Sequence, residues 1–166
     1  MAFLSEFTSY KRKILRAICS DQDCVALITN TECPTTPNYD LIESVNEAGI
    51  PHRGQVHAYD YVPGTEEEGD THVCVEVEEI DTRNGAVARF QIHVYIIVPE
   101  NLMVMYGEIR RDALAAAIDN LLNGRTDFGF GKLERKAGRT FLAVNKWRGR
   151  ELIYEAQDFN RICDRI

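Results

Sequence analysis

The tightest constraint on this chain is the run from Phe90 to Leu133, where the hydrophobic pattern changes period from strand to helix and back. Phe90, Ile92, Val94, Ile96 and Val98 alternate with Arg89, Gln91, His93 and Tyr95, the period of a strand with one buried face. Pro99 has no N–H to donate and closes that strand. After a Met-rich bend, Leu114, Ile118, Leu121 and Leu122 recur at helical spacing, with Asp112, Ala116 and Asp119 on the opposite face. Asn123-Gly124 supplies a left-handed residue to end the helix, and Gly129-Phe130-Gly131 opens another extended run. The centre of the chain therefore reads as strand, helix, strand.

One feature of that helix runs against local physics. Arg110 and Arg111 fall in its first turn, where exposed N–H groups carry partial positive charge and favour Asp or Glu. Either an intrachain bridge or solvent compensates them, or a carboxylate on another subunit does, for which the arginine fork is well shaped. The densest acidic group in the chain is the Thr65 to Asp70 loop, with Glu66, Glu67, Glu68 and Asp70. Such a loop cannot bury itself and must face solvent, a channel or a partner. Arg110, Arg111 and Asp112 on one side, and the four acidic loop residues on the other, are the expected subunit-interface residues.

The flanking segments extend the pattern. Ser5 to Cys19 forms a helix candidate with Ser5 as cap, an apolar stripe of Phe7, Tyr10, Ile14, Leu15 and Ile18, and a solvated face of Lys11, Arg12, Lys13 and Arg16. A short second helix over Ser20 to Ile28 is capped by Asp21 or Ser20. Residues 30–52, with three of the five prolines, read as a long loop with a helical turn around Tyr39 to Asn46. Gln55 to Val62 reads as a strand ended by Pro63-Gly64, and Val73, Val75 and Val77 as another, turned into the central strand at Asn84-Gly85. After the helix, Leu133 to Val144 folds back at Ala137-Gly138, and Leu152 and Tyr154 mark a last strand behind a turn at Arg148-Gly149. The tail from Phe159 to Ile166 carries no signal. The sum is a single α+β domain over residues 1–166, a largely antiparallel sheet with the central helix packed on one face and an N-terminal helix beside it.

With 166 residues the chain can bury a core of its own. A formal net charge of -7 argues against a sequence-independent grip on nucleic acid, which needs concentrated Lys and Arg, but not against letting DNA pass. No basic and apolar leader and no long apolar run point to secretion or a membrane, so a cytoplasmic protein is expected. Five cysteines, an odd number, argue against a disulfide framework, and Cys19, Cys24, Cys33 and His52 match no familiar zinc spacing. Cys24 and Cys74 sit among apolar residues and should stay protonated. There is no P-loop, nucleophile elbow, H-E-x-x-H or dinucleotide fingerprint, so no catalytic residue, cofactor or metal is expected. His57 and His93 could meet across a sheet, and Glu76 with Glu78 should share a water-facing strand face.

This succession resembles the tail-terminator and related neck proteins of tailed bacteriophages over roughly residues 53–160. The likeness rests on the strand Phe90 to Val98, the helix from Arg110-Arg111-Asp112 to Asn123-Gly124 and the hairpin after Gly129-Phe130-Gly131-Lys132-Leu133. It implies a non-enzymatic virion protein, assembled in the host cytoplasm, that forms a hexameric ring at the head-proximal end of the tail tube. Such a ring ends tube growth and joins the tail to the head connector or head-closure protein, with DNA passing through unbound. Its own kind, the tail tube protein and the connector are then its partners. The alternatives are another neck role, head closure or tail completion, and a small hydrolase or ligand-binding domain, which a large polar pocket around His57 or His93 would favour.

Overall fold

A computed structural model of the chain describes residues 2–45, 47–64, 69–83, 87–143 and 146–159. Two helices come first, α1 (Ala2–Ser20) and α2 (Gln22–Thr29). The stripe of Phe7, Tyr10, Ile14, Leu15 and Ile18 is buried, but the helix starts ahead of Ser5, which therefore does not cap it. Asp21 caps α2 by accepting a bond from the Cys24 N–H at 2.9 Å. Residues 30–52 are mostly loop. They carry a 3-10 turn, Tyr39–Leu41, and two short paired strands, β1 (Ser44–Val45) and β2 (Pro51–His52).

Five strands make the main sheet: β3 (Val56–His57), β4 (His72–Arg83), β5 (Val87–Pro99), β6 (Phe130–Leu142) and β7 (Trp147–Phe159), in the spatial order β3-β4-β5-β7-β6. Between β5 and β6 lie α3 (Glu100–Met103) and α4 (Arg110–Leu122). Only β3 is parallel to its neighbour; every other ladder is antiparallel. The fold is α+β, with the helices layered on one face of the sheet. Leu114, Ile118 and Leu122 of α4 are fully buried there, each contributing roughly 1.5–3 kcal/mol. They pack in one core with Phe90, Ile92, Val94, Ile96 and Val98 of β5 and with Leu152 and Tyr154 of β7. Tyr10 of α1 stacks on Phe90 with ring centroids 5.0 Å apart.

Several sequence expectations are corrected. The strand over Gln55 to Val62 shrinks to Val56–His57, and the chain after it leaves the sheet edge. Ala137-Gly138 is no turn: β6 runs straight through it, and the chain reverses after Leu142. Arg148-Gly149 is no turn either, but lies inside β7. A Cβ on Gly149 would sit 2.2 Å from the Phe141 ring, so the glycine is there for the close approach of an aromatic neighbour. The central strand is buried on two faces near Pro99, because Cys74, Ile97 and Trp147 form a second small cluster with Tyr61, Tyr95 and Phe141 packed against it. Asp119 turns toward the sheet, accepting a bond from the Tyr154 hydroxyl at 3.0 Å and pairing with Arg135 at 3.2 Å. Gly124, at φ +87°, does follow the helix end as expected. The Asn84-Gly85 turn lies outside the described residues, as do Asn46 and the tail beyond Phe159.

Candidate functional site

The arginine pair at the start of α4 divides. Arg110 is buried at 6 % exposure, and the expectation that it faces another subunit is corrected. Its Nε donates to the Leu102 carbonyl and one Nη to the Leu27 carbonyl, both at 2.8 Å, and the other Nη donates to the Asn30 side-chain oxygen. Leu27 lies in the last turn of α2, whose final carbonyls have no partner inside the helix, and Leu102 belongs to α3. The guanidinium thus sits at the negative ends of two helices, which compensates its unfavourable place at the positive end of its own. Burial pushes its pKa below the ordinary arginine value. Arg111 is half-buried and bonds Asp112 at 3.0 Å, and Arg150 of β7 approaches the same carboxylate at 3.5 Å. Asp112 remains partly open to solvent. Of the acidic loop, Glu66, Glu67 and Glu68 lie outside the described residues, while Asp70 is exposed at the mouth of a cleft.

That cleft encloses about 750 Å³. The loop of residues 38–43 forms one wall and the segment from Arg53 to Tyr61 another. Its floor is a hydrogen-bonded chain. The Tyr59 hydroxyl donates to Glu43 at 2.6 Å, His57 Nδ1 meets the same carboxylate at 2.8 Å, and His57 Nε2 meets His72 Nδ1 at 3.1 Å. Both histidines are buried, and Tyr61 stacks on His57 at 4.3 Å. The bond from Tyr59 holds the Glu43 carboxyl below the usual range, with His57 adding to it against the opposing effect of burial. In turn the Tyr59 hydroxyl is pushed up to about 12. A histidine oriented by a carboxylate is the arrangement of a general base. Here, however, its second nitrogen is engaged by His72 rather than turned to the cavity.

His57 and His93 do not meet. His93 lies on the outer face of β5, where its Nδ1 contacts Glu151 of β7 at 2.7 Å. Arg139 of β6 holds the other Glu151 oxygen. Glu151 is buried at 1 % exposure; burial pushes its carboxyl pKa up, but the His93 and Arg139 bonds hold it below the ordinary value. Glu76 and Glu78 are on one face as expected, yet only Glu78 is exposed, since Lys11 reaches Glu76 at 2.6 Å. That contact, and the Lys13 bond to the Asp127 carbonyl at 2.8 Å, take two lysines out of the expected solvated face. Glu43, Tyr61 and Glu151 gave no signal by residue type alone. Glu151 does alternate with Leu152 and Tyr154, so its outward direction could be read from the sequence once the β5 and β7 ladder was known.

Among the described residues no three His, Cys, Asp or Glu side chains are placed to hold a metal ion. Cys19, Cys24 and Cys74 are buried and Cys33 is exposed. Burial pushes the Cys19 and Cys74 thiols up to about 12 and Cys24 further still. His52 bonds the Asp40 carbonyl at 2.8 Å. No described helix is long and apolar enough to cross a membrane.

No curated protein matches the chain. Among solved structures, it is similar to a chain of the virion of a native gene transfer agent particle, at 21% sequence identity and a TM-score of 0.45. The match covers 63% of this chain and 78% of that one. The model of the YomW family, which is phage-derived, matches residues 13–156, and the chain belongs to that family.

Proposed function

We propose that the chain is a structural protein of a phage virion that self-associates into a ring at the head-proximal end of the tail tube. There it ends tube growth and joins the tail to the head connector or head-closure protein. The ring is hexameric in the resemblance, and DNA passes through it without specific contacts. Membership of a phage-derived family supports the virion reading. The observation that carries self-association is β6, a thirteen-residue edge strand of which only Leu133 is buried. Among the described residues its far side has no strand partner, and open edges of this length are templates for another chain. Arg111, Asp112 and Asp70 stay in the proposal as exposed or half-exposed polar groups near subunit contacts, and Glu66, Glu67 and Glu68 stay as sequence candidates. Arg110 does not.

Native mass spectrometry of the purified protein, alone and with tail tube, tests this reading together with a virion reconstruction. A closed ring is expected, and a monomer in both settings overturns it. Another neck role, head closure or tail completion, keeps the ring and changes its neighbours. A second reading rests on the cleft: a polar cavity floored by Glu43, His57 and His72 is the feature a ligand-binding domain needs. Saturable binding of a small polar ligand, abolished by His57→Ala in a monomeric protein, would move the assignment there.

A further inference from the structure

The edge strand β6 and the part of β4 that β3 leaves uncovered are complementary in three respects. First, both have an open side. β6 pairs only with β7, and β3 covers β4 only at Val73 and Cys74, so no described strand lies beside β4 beyond that point.

Second, their charges are opposite. β6 carries Lys132, Arg135, Lys136 and Arg139 against Glu134, and the side chains of Arg139, Arg135 and Lys136 are 71%, 48% and 43% exposed. β4 carries Glu76, Glu78 and Glu79; within the subunit Lys11 pairs with Glu76 at 2.6 Å and His93 lies 3.8 Å from Glu78, whose side chain is still 68% exposed.

Third, their directions match. Since β4, β5, β7 and β6 alternate in direction, a copy placed beside β6 with its helices on the same side presents β4 antiparallel to it, the better-bonded pairing.

We propose that β6 of one copy pairs antiparallel with β4, beyond Cys74, of the next, so that the sheet continues from subunit to subunit. This rests on the self-association proposed above and names its surfaces. Two different patches in contact make a heterologous interface, which closes into a ring when the rotation between copies allows. Main-chain hydrogen bonds supply the binding, as in strand addition to a sheet edge, and the opposite charges fix which edge meets which. Lysines and bulges on an edge also serve to keep strands apart, and β6 has two register shifts. Blunting alone would put no demand on the sign of the far edge. The exposed carboxylate of Glu78 on β4 is what a basic partner strand selects.

The test uses the full chain with Lys136→Glu, Glu78→Lys and the two together. In the subunit Lys136 contacts exposed Glu134, so its reversal leaves the core alone, and far-UV circular dichroism checks both variants. Sedimentation velocity reads assembly at low salt and at about 1 M, where the screening length falls to about 3 Å. Each single reversal should weaken assembly about tenfold, and the pair together should restore it to within about threefold of wild type. High salt should weaken wild type. If wild type assembles while both single variants assemble equally well, or if the double variant is not rescued, the edge pairing is overturned and the ring reading stands. A wild type monomeric at every attainable concentration and in the virion overturns self-association itself, and the pairing with it.

Discussion

Replacing Arg110 by Ala removes the donor of three bonds and leaves the Leu27 carbonyl, the Leu102 carbonyl and the Asn30 side-chain oxygen without it. A buried acceptor left unsatisfied costs about 1–3 kcal/mol, and the low end applies where water can reach the vacated space, giving about 3 kcal/mol for the three. Removing a cation from a helix first turn returns about 0.5 kcal/mol. The net loss is therefore about 2–3 kcal/mol, or roughly 5–10 °C in Tm for a chain of this size. Arg110→Lys keeps the charge but not the fork that spans three acceptors, and should lose about half as much. Arg111→Ala breaks a half-exposed pair and should cost less than about 1 kcal/mol. Urea unfolding at neutral pH, with the slope unchanged across the series, measures all three. The reasoning fails if Arg110→Ala lies within about 0.5 kcal/mol of wild type, or if Arg111→Ala costs as much.

Two further outcomes follow from the core and from the buried carboxylate. Ile118 is fully buried in the middle of α4, and Ile118→Ala should lose about 2–5 kcal/mol in denaturant melts, whereas a loss under about 1 kcal/mol would mean that this face of α4 does not pack on the sheet. The Glu151 carboxyl has its folded pKa below the unfolded value of about 4.3, so its stabilisation is fully present above that pH and disappears as pH falls through the lower folded value. The urea midpoint of wild type should drop over this acid window more steeply than that of Glu151→Gln, and parallel curves would show that Glu151 is not the linked group.

What could be read from the sequence was whatever a period exposes. Through its first half β5 alternates between a buried and a half-buried face, and the stripe of α4 is buried on one side, so periodicity locates both even though β5 is covered on two faces near Pro99. The edge strand β6 reads as a hairpin in the sequence because most of its residues face solvent on either side, leaving no alternation across Glu134 to Thr140, and Ala137-Gly138 resembles a turn. Gly149 misled for a related reason: a glycine chosen for an approaching ring looks the same in sequence as one chosen for a turn. The arginine anomaly at the start of α4 is visible in the sequence, but its resolution depends on where two other helices end, which local physics cannot supply. Likewise the His57 cleft joins residues from Asn38 to His72 through an irregular loop, where neither helical nor strand period applies.

The strand order has a consequence for how the chain reaches this state. The β4 and β5 ladder joins strands consecutive in sequence, and so does the β6 and β7 ladder. The ladder at the middle of the sheet, β5 with β7, instead closes over everything from α3 through β6, and its register runs unbroken from Val87 opposite Phe159 to Pro99 opposite Trp147. Loop-closure entropy is thereby concentrated in one seam between two locally formed hairpins. Substitutions in that seam act on the step that closes it, and the way their effect divides between refolding and unfolding rates measures how far the seam is formed at the barrier.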